Sequence, residues 1–146
     1  MSVIVAKRNL SRMEYIHNAQ QIFNLVKERI IKYINKVSSE KRYKHFVKSS
    51  QYTLWNSPIY YAEKVYVCCQ LANKMRNPET RLSYLNQASD NLVLLKSSVQ
   101  TFYDHYRKII KEKFVILLAQ KVETQERLLK GCKENTKNVG CQRVLT

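Results

Sequence analysis

Apolar side chains recur at steps of three and four positions along most of this chain, which is the spacing of one face of an α-helix. The first series begins at a capping-box pattern, in which Ser11 precedes Glu14 by three positions. Its apolar members are Met13, Ile16, Ala19, Phe23, Val26, Ile30, Tyr33 and Val37. Lysines and an arginine occupy the opposite side. This pattern predicts a first helix that ends near Val37-Ser38.

A second helical stretch is predicted from about residue 39 to 75. It begins with a dense basic segment and becomes aromatic and apolar towards Tyr66. Pro58 interrupts it, and proline lacks the N–H that an interior helical residue donates. We therefore expect a second helix that is kinked at Pro58, or briefly broken at Asn56-Ser57.

Asn77-Pro78-Glu79 marks the start of a third helix, with a capping side chain, a proline in the first turn and an acid at the positive end of the dipole. Its period is the clearest in the chain: Leu82, Leu85, Ala88, Leu92, Leu95, Val99, Phe102 and Tyr106. A fourth helix is placed by pattern at 109–133, with Gly131 near its end. Its apolar positions include Ile110, Phe114, Leu117, Leu118, Val122, Leu128 and Leu129.

Four amphipathic helices with short connections predict an all-α, antiparallel four-helix bundle. We expect an N-terminal arm over 1–10, the bundle over 11–133 and a flexible C-terminal tail over 134–146. The 146 residues include 2 Gly and 2 Pro, fewer than sheet folds with many turns require. The same scarcity excludes glycine-rich phosphate loops and Rossmann turns.

The charge is large and unevenly distributed. The chain has 26 basic and 11 acidic side chains, a formal net charge of +15. Residues 1–48 hold 11 basic and 3 acidic side chains, 49–106 hold 5 and 4, and 107–146 hold 10 and 4. The first and fourth helices of an antiparallel bundle are usually neighbours, so the basic segments are expected to form one face. Such a charge attracts polyanions, with RNA or DNA ahead of an acidic protein surface or an anionic membrane.

Two basic segments are the predicted nucleic-acid contacts. They comprise Lys41, Arg42, Lys44 and Lys48, and Arg107, Lys108, Lys111 and Lys113. The aromatic residues beside Trp55 offer a second possibility, stacking on bases. We favour core or subunit packing for Tyr60, Tyr61 and Tyr66.

Nothing in the sequence predicts catalysis. Glu14 and His17 have the Glu-x-x-His spacing of di-iron bundles, but no second copy of that spacing occurs. Asp104 and His105 are adjacent, so on a helix they diverge. The four cysteines have no CxxC spacing. We expect no enzyme activity, no cofactor and no metal, in a reduced cytoplasmic protein with no signal peptide and no membrane-spanning segment.

Several short motifs resemble a bacterial family. Residues 57–63 (SPIYYAE) resemble the proline-containing second helix of the small four-helix bundles that include ribosomal intervening-sequence proteins and the Avd-type accessory proteins of diversity-generating retroelements. Residues 81–88 (RLSYLNQA) resemble that family's third-helix start, and residues 128–132 (LLKGC) resemble its fourth-helix end. Residues 7–15 (KRNLSRMEY), followed by HNA at 17–19, are similar to the opening of Avd-type sequences.

The resemblance implies a non-enzymatic, basic homopentamer. Avd-type proteins bind the reverse transcriptase of their element and nucleic acid, RNA or DNA, and support mutagenic copying of template RNA into cDNA. The alternative implied by the same resemblance is a structural or RNA-binding bundle of the ribosomal intervening-sequence type, with no polymerase partner.

Overall fold

The structure is a computed structural model that describes residues 13–39 and 52–145. Over these ranges the chain forms four helices and no strand: α1 is Glu14–Ser39, α2 is Tyr52–Lys74, α3 is Pro78–His105 and α4 is Glu112–Leu145. The N-terminal arm predicted over 1–10 and the predicted capping residue Ser11 lie outside the described residues.

The helices pack in a ring of neighbours, α1 against α2 and α4, and α3 against the same two. Contacts near both ends of α1 show its direction relative to α4. Asn18, near the start of α1, bonds to Gln125, which lies between three and four turns into α4. Tyr33, near the end of α1, reaches Lys111, just before α4 begins. The two helices are therefore antiparallel, and the predicted all-α four-helix bundle is confirmed.

The start of α3 follows the sequence pattern closely. The Asn77 side-chain oxygen accepts the N–H groups of Glu79 at 2.9 Å and Thr80 at 3.4 Å. These are two of the backbone donors that have no partner within the helix. Pro78 occupies the first helical position, where its missing N–H costs nothing. Each buried apolar residue of α3 belongs to the predicted stripe.

The core agrees with the predicted stripes apart from several positions. Tyr15 and Ile22 of α1 are buried although they lie outside the predicted series. Leu117 was expected inside and is 41% exposed, because it lies on the side of α4 turned away from the core. The buried apolar residues of α4 and the connection before it are Tyr106, Ile109, Ile110, Phe114, Leu118, Val122 and Leu129.

Pro58 does not break α2. The helix is continuous from Tyr52 to Lys74 with the proline inside it. The interruption predicted as one outcome at Asn56-Ser57 is therefore wrong, while the kink stays a prediction. Pro58 is itself buried, and burial of its ring offsets part of the cost of the backbone hydrogen bond that it cannot donate.

The fourth helix is longer than its pattern predicted. It continues to Leu145, so the segment from 134 that was expected to be a flexible tail is helical over nearly all its length. Gly131 does not end the helix, because it does not adopt the positive φ of a helix-terminating glycine. No proline follows it. The Thr136 hydroxyl donates to the Cys132 carbonyl at 2.7 Å, a contact within the continued helix.

Among the residues whose side chains are described, one polar side chain is fully buried in the bundle. Gln125 of α4 is 0% exposed, and its Nε2 donates to the Tyr15 carbonyl of α1 at 2.8 Å and to the Cys69 sulfur of α2 at 3.5 Å. Its Oε1 accepts from the Asn18 amide of α1 at 2.9 Å. This one residue thus links three helices, and both ends of its amide have partners.

Burial, with smaller contributions from the nearby Cys68 and Cys132, raises the pKa of the Cys69 thiol from 9.0 to about 12, against a smaller opposing effect of the Gln125 bond. Between pH 9 and 12 the unfolded chain gives up this proton while the folded chain keeps it. Stability is therefore lost as the pH rises, by about 1.4 kcal/mol per pH unit for this one group.

We expect Cys69→Ala to remove that contribution, so that the free energy of unfolding falls less steeply above pH 9 than in the wild type. Urea titrations at half-unit pH steps measure the slope. Val65→Ala also opens a cavity in α2 but removes no titrating group, and it should keep the wild-type slope. An unchanged slope in Cys69→Ala would contradict the assignment.

Candidate nucleic-acid interface

The connection between α3 and α4 is held by its apolar residues. Tyr106, Ile109 and Ile110 are each at most 4% exposed. The Tyr106 N–H donates to the carbonyls of Phe102 and Tyr103, and the Tyr106 carbonyl accepts the N–H groups of Ile109 and Ile110. These bonds form a compact turn without glycine or proline, in which the apolar side chains point into the bundle.

The basic residues of the same connection point outward as a consequence. Arg107, Lys108 and Lys111 alternate with the buried residues, and each is exposed. Lys113, in the first turn of α4, is exposed as well. All four predicted contacts of the second basic segment therefore lie together on the surface at one end of the bundle.

A contact with α1 adds two lysines that the prediction missed. The Lys111 N–H donates to the Tyr33 hydroxyl at 3.4 Å, and the Tyr33 ring packs edge-on against Phe114 at 5.8 Å. Lys32 is next to Tyr33 in sequence and Lys36 is about one turn after it. Both lysines are exposed. Lys36 lies three positions after the core residue Tyr33, so the two are close on the surface of α1. Pairing the end of α1 with the α3–α4 connection would have identified both lysines from the sequence.

We call this surface the basic platform; it comprises Lys32, Lys36, Arg107, Lys108, Lys111 and Lys113. Arg107 is partly neutralised, because its guanidinium pairs with the Asp104 carboxylate at 3.1 Å and lies over the Tyr103 ring at 5.6 Å. Lys108, Lys111 and Lys113 form no ion pair with any described residue. Their ammonium groups are thus available to phosphate oxygens.

The other predicted contacts, Lys41, Arg42, Lys44 and Lys48, lie outside the described residues. The chain leaves α1 at Ser39 and enters α2 at Tyr52. Because α1 and α4 are antiparallel, Ser39 is at the same end of the bundle as the platform.

The aromatic residues of α2 divide between packing and exposure. Tyr66 is half-buried against Phe23 of α1, with ring centres 6.3 Å apart, and Tyr61 packs against the core. Tyr60 is 54% exposed and has the Lys64 ammonium over its ring at 5.6 Å. Packing thus accounts for Tyr61 and Tyr66, while Tyr60 remains accessible for stacking. Trp55 lies outside the residues whose side chains are described.

The acid–histidine pairs weighed for catalysis or metal binding are exposed at the surface. Glu14 and His17 are both exposed on the first turns of α1. Asp104 accepts from Gln100 and Arg107, whereas the His105 ring donates to the Thr101 carbonyl. Within 13–36 and 56–138 no three His, Cys, Asp or Glu side chains come together as metal ligands would.

Hydropathy gives no sign of a membrane span either. In the part of the chain that the structure describes, every helix is too short or too polar to cross a bilayer. Comparisons with protein-family models, with curated proteins and with solved structures gave no match for this chain.

Proposed function

We propose that this protein is a non-enzymatic accessory protein of a diversity-generating retroelement. In this role a basic, oligomeric bundle binds the element's reverse transcriptase together with template RNA or cDNA in the cytoplasm. The observation that carries the nucleic-acid part is the basic platform, in which Lys108, Lys111 and Lys113 are exposed and form no ion pair with any described residue. The resemblance of residues 7–15 to Avd-type sequences carries the polymerase part.

The mechanism is electrostatic. Lysines held at one end of the bundle replace counterions along a phosphate backbone, and the release of those ions favours binding. The platform's lysines present long, flexible ammonium groups, and the planar guanidinium of Arg107 pairs with Asp104, so the platform suits binding that does not depend on base sequence. A scaffold of this kind holds an RNA for a polymerase without choosing its sequence.

Self-association is part of the proposal, as a homopentamer. A ring of identical subunits would place one basic platform per subunit around a common axis. Repetition would then strengthen a weak individual contact, because a second platform meets an RNA that is already held nearby.

Co-purification tests the proposal as a whole. A reverse transcriptase of the element that the proposal assigns to this chain is co-expressed with it, and the mass and nucleic-acid content of the product are measured on the same sample. A stable complex that contains several copies of this chain and RNA is the expected result. The same chain expressed with a reverse transcriptase of an unrelated element is the matched control.

A free oligomer that binds RNA and ignores the polymerase would overturn the accessory role. It would favour the alternative, a ribosomal intervening-sequence-type bundle. The fold and the basic platform are compatible with both functions, so the polymerase is the component that distinguishes them.

A further inference from the structure

The solvent side of α3 has exposed apolar residues and very little charge. From residue 82 to residue 103 the charged residues are Asp90 and Lys96, and Lys96 pairs with a glutamate of α4 at 2.8 Å. Asp90 forms no ion pair with any described residue. Val93 and Leu94 follow it by three and four positions, on the same side of the helix, and they are 59% and 45% exposed. We call Asp90, Val93 and Leu94 the α3 stripe.

A second stripe of exposed apolar residues lies on α2. Tyr60, Lys64 and Val67 are spaced by four and three positions, so they share one side of the helix. Tyr60 is 54% exposed and Val67 is 37% exposed. The Lys64 ammonium lies over the Tyr60 ring at 5.6 Å and forms no ion pair with any described residue. Glu63 is the other charged residue between 60 and 73. We call Tyr60, Lys64 and Val67 the α2 stripe.

The two spans that contain the stripes have no net charge, although the whole chain has a net charge of +15. Residues 60–73 and 82–103 hold two basic and two acidic side chains. Two copies of so basic a protein repel each other where their lysine-rich surfaces meet, so close approach requires surface of this kind. Nucleic acid gains little from it, because binding to phosphates requires positive charge. Exposed aromatic and aliphatic residues with few charges are also typical of the centre of a protein interface. The stripes therefore suit contact with a second copy of this chain.

The charges of the stripes favour contact between unlike stripes. A contact between two α3 stripes would bring two Asp90 carboxylates close together, and a contact between two α2 stripes would do the same for two Lys64 ammonium groups. When an α3 stripe meets an α2 stripe, a carboxylate lies near an ammonium group and apolar residues lie on apolar residues. An interface between unlike surfaces repeats from copy to copy and closes into a ring where the rotation allows it.

We propose that copies of this chain associate by packing the α3 stripe of one copy against the α2 stripe of the next. The apolar residues of the two stripes cover one another, and Asp90 pairs with Lys64 of the next copy. The basic platform stays uncovered, because none of its residues belongs to either stripe. The proposal rests on the proposed function in one respect, the self-association of the chain, and it names the surfaces that mediate this association.

Two double variants of the full chain test the contact, with the mass measured by size-exclusion chromatography and light scattering. One variant replaces Val93 and Leu94 of the α3 stripe by glutamate, and the other replaces Tyr60 and Val67 of the α2 stripe by glutamate. Each is expected to reduce the mass from that of the wild-type oligomer to that of one chain, 17.3 kDa. The four side chains are exposed, so circular dichroism should show the wild-type helix content in both variants.

Mixing the two variants tests whether unlike stripes meet. The intact α2 stripe of one variant can pack against the intact α3 stripe of the other, and growth stops there because the remaining stripes are altered. The mixture is therefore expected to form a species of twice the mass of one chain, which also shows that both variants are folded. A mixture that contains monomers alone would overturn the pairing of unlike stripes.

A third double variant is the matched control. Ile31 and Ile116 are 44% and 51% exposed and lie outside both stripes, so their replacement by glutamate is expected to keep the wild-type mass. The proposal would be overturned by a fall in mass in this control, by the wild-type mass in either stripe variant, or by a monomeric wild type. Failure of the proposed function has a different signature, an oligomer that requires both stripes and ignores the polymerase.

Discussion

Replacing Lys108, Lys111 and Lys113 together by glutamate is expected to weaken the binding of single-stranded RNA by about 100-fold at 0.1 M salt. The three ammonium groups are exposed and form no ion pair with described residues, so their full charge is available to phosphates. Removing three phosphate contacts should also make the plot of log K against log salt concentration shallower by about 2. Filter binding over a salt series measures both quantities.

A second triple variant controls for net charge. Lys74, Lys130 and Lys137 are also exposed lysines, and they lie towards the other end of the bundle. Their replacement by glutamate changes the net charge equally but leaves the basic platform intact. Equal losses in the two variants would show that binding follows total charge and would contradict a localised platform.

Gln125→Glu is expected to destabilise the fold by about 4 kcal/mol at pH 7. The substitution keeps the size of the side chain and the oxygen that accepts from Asn18. It removes the N–H donors to the Tyr15 carbonyl and Cys69, and it places a carboxylate at a fully buried position. Burial of this kind raises the pKa of the new carboxyl, because its charged form loses hydration.

The pH dependence gives that variant its signature. A raised folded-state pKa means that stability is retained below the unfolded value of about 4.3 and is lost as the pH rises through the folded value. Urea unfolding at pH 4 and pH 7 should therefore show a much smaller deficit at the lower pH. Gln120→Glu, on the exposed side of α4, should change stability by less than about 0.5 kcal/mol. A deficit that does not vary with pH would contradict the mechanism.

Local chemistry accounts for the parts of the fold that the sequence predicted well. The start of α3 is marked by Asn77, Pro78 and Glu79, and each acts within one helical turn. The buried residues of α3 follow a helical period that needs no knowledge of neighbouring helices. These are short-range effects, and one sequence contains all the information that they require.

The missed features depend on contacts between distant segments. Gln125 looks like a surface residue in sequence, and its burial follows from Tyr15 and Asn18, more than one hundred positions earlier. Lys32 joins the platform because Tyr33 meets Lys111. The continuation of α4 past Gly131 has a different cause. A glycine ends a helix when it adopts positive φ, and the presence of glycine in the sequence does not by itself determine φ.

The direction of the helices also determines where a label can be joined to this protein without covering the platform. Gln125 of α4 meets the first turns of α1, so α4 continues to Leu145 beyond the bundle end where α1 begins. The platform stands at the other end, about 39 Å away along the 26 residues of α1. A fluorophore, affinity tag or surface linker joined after Leu145 would leave the platform facing solution. Immobilised protein should therefore capture RNA as freely as protein in solution.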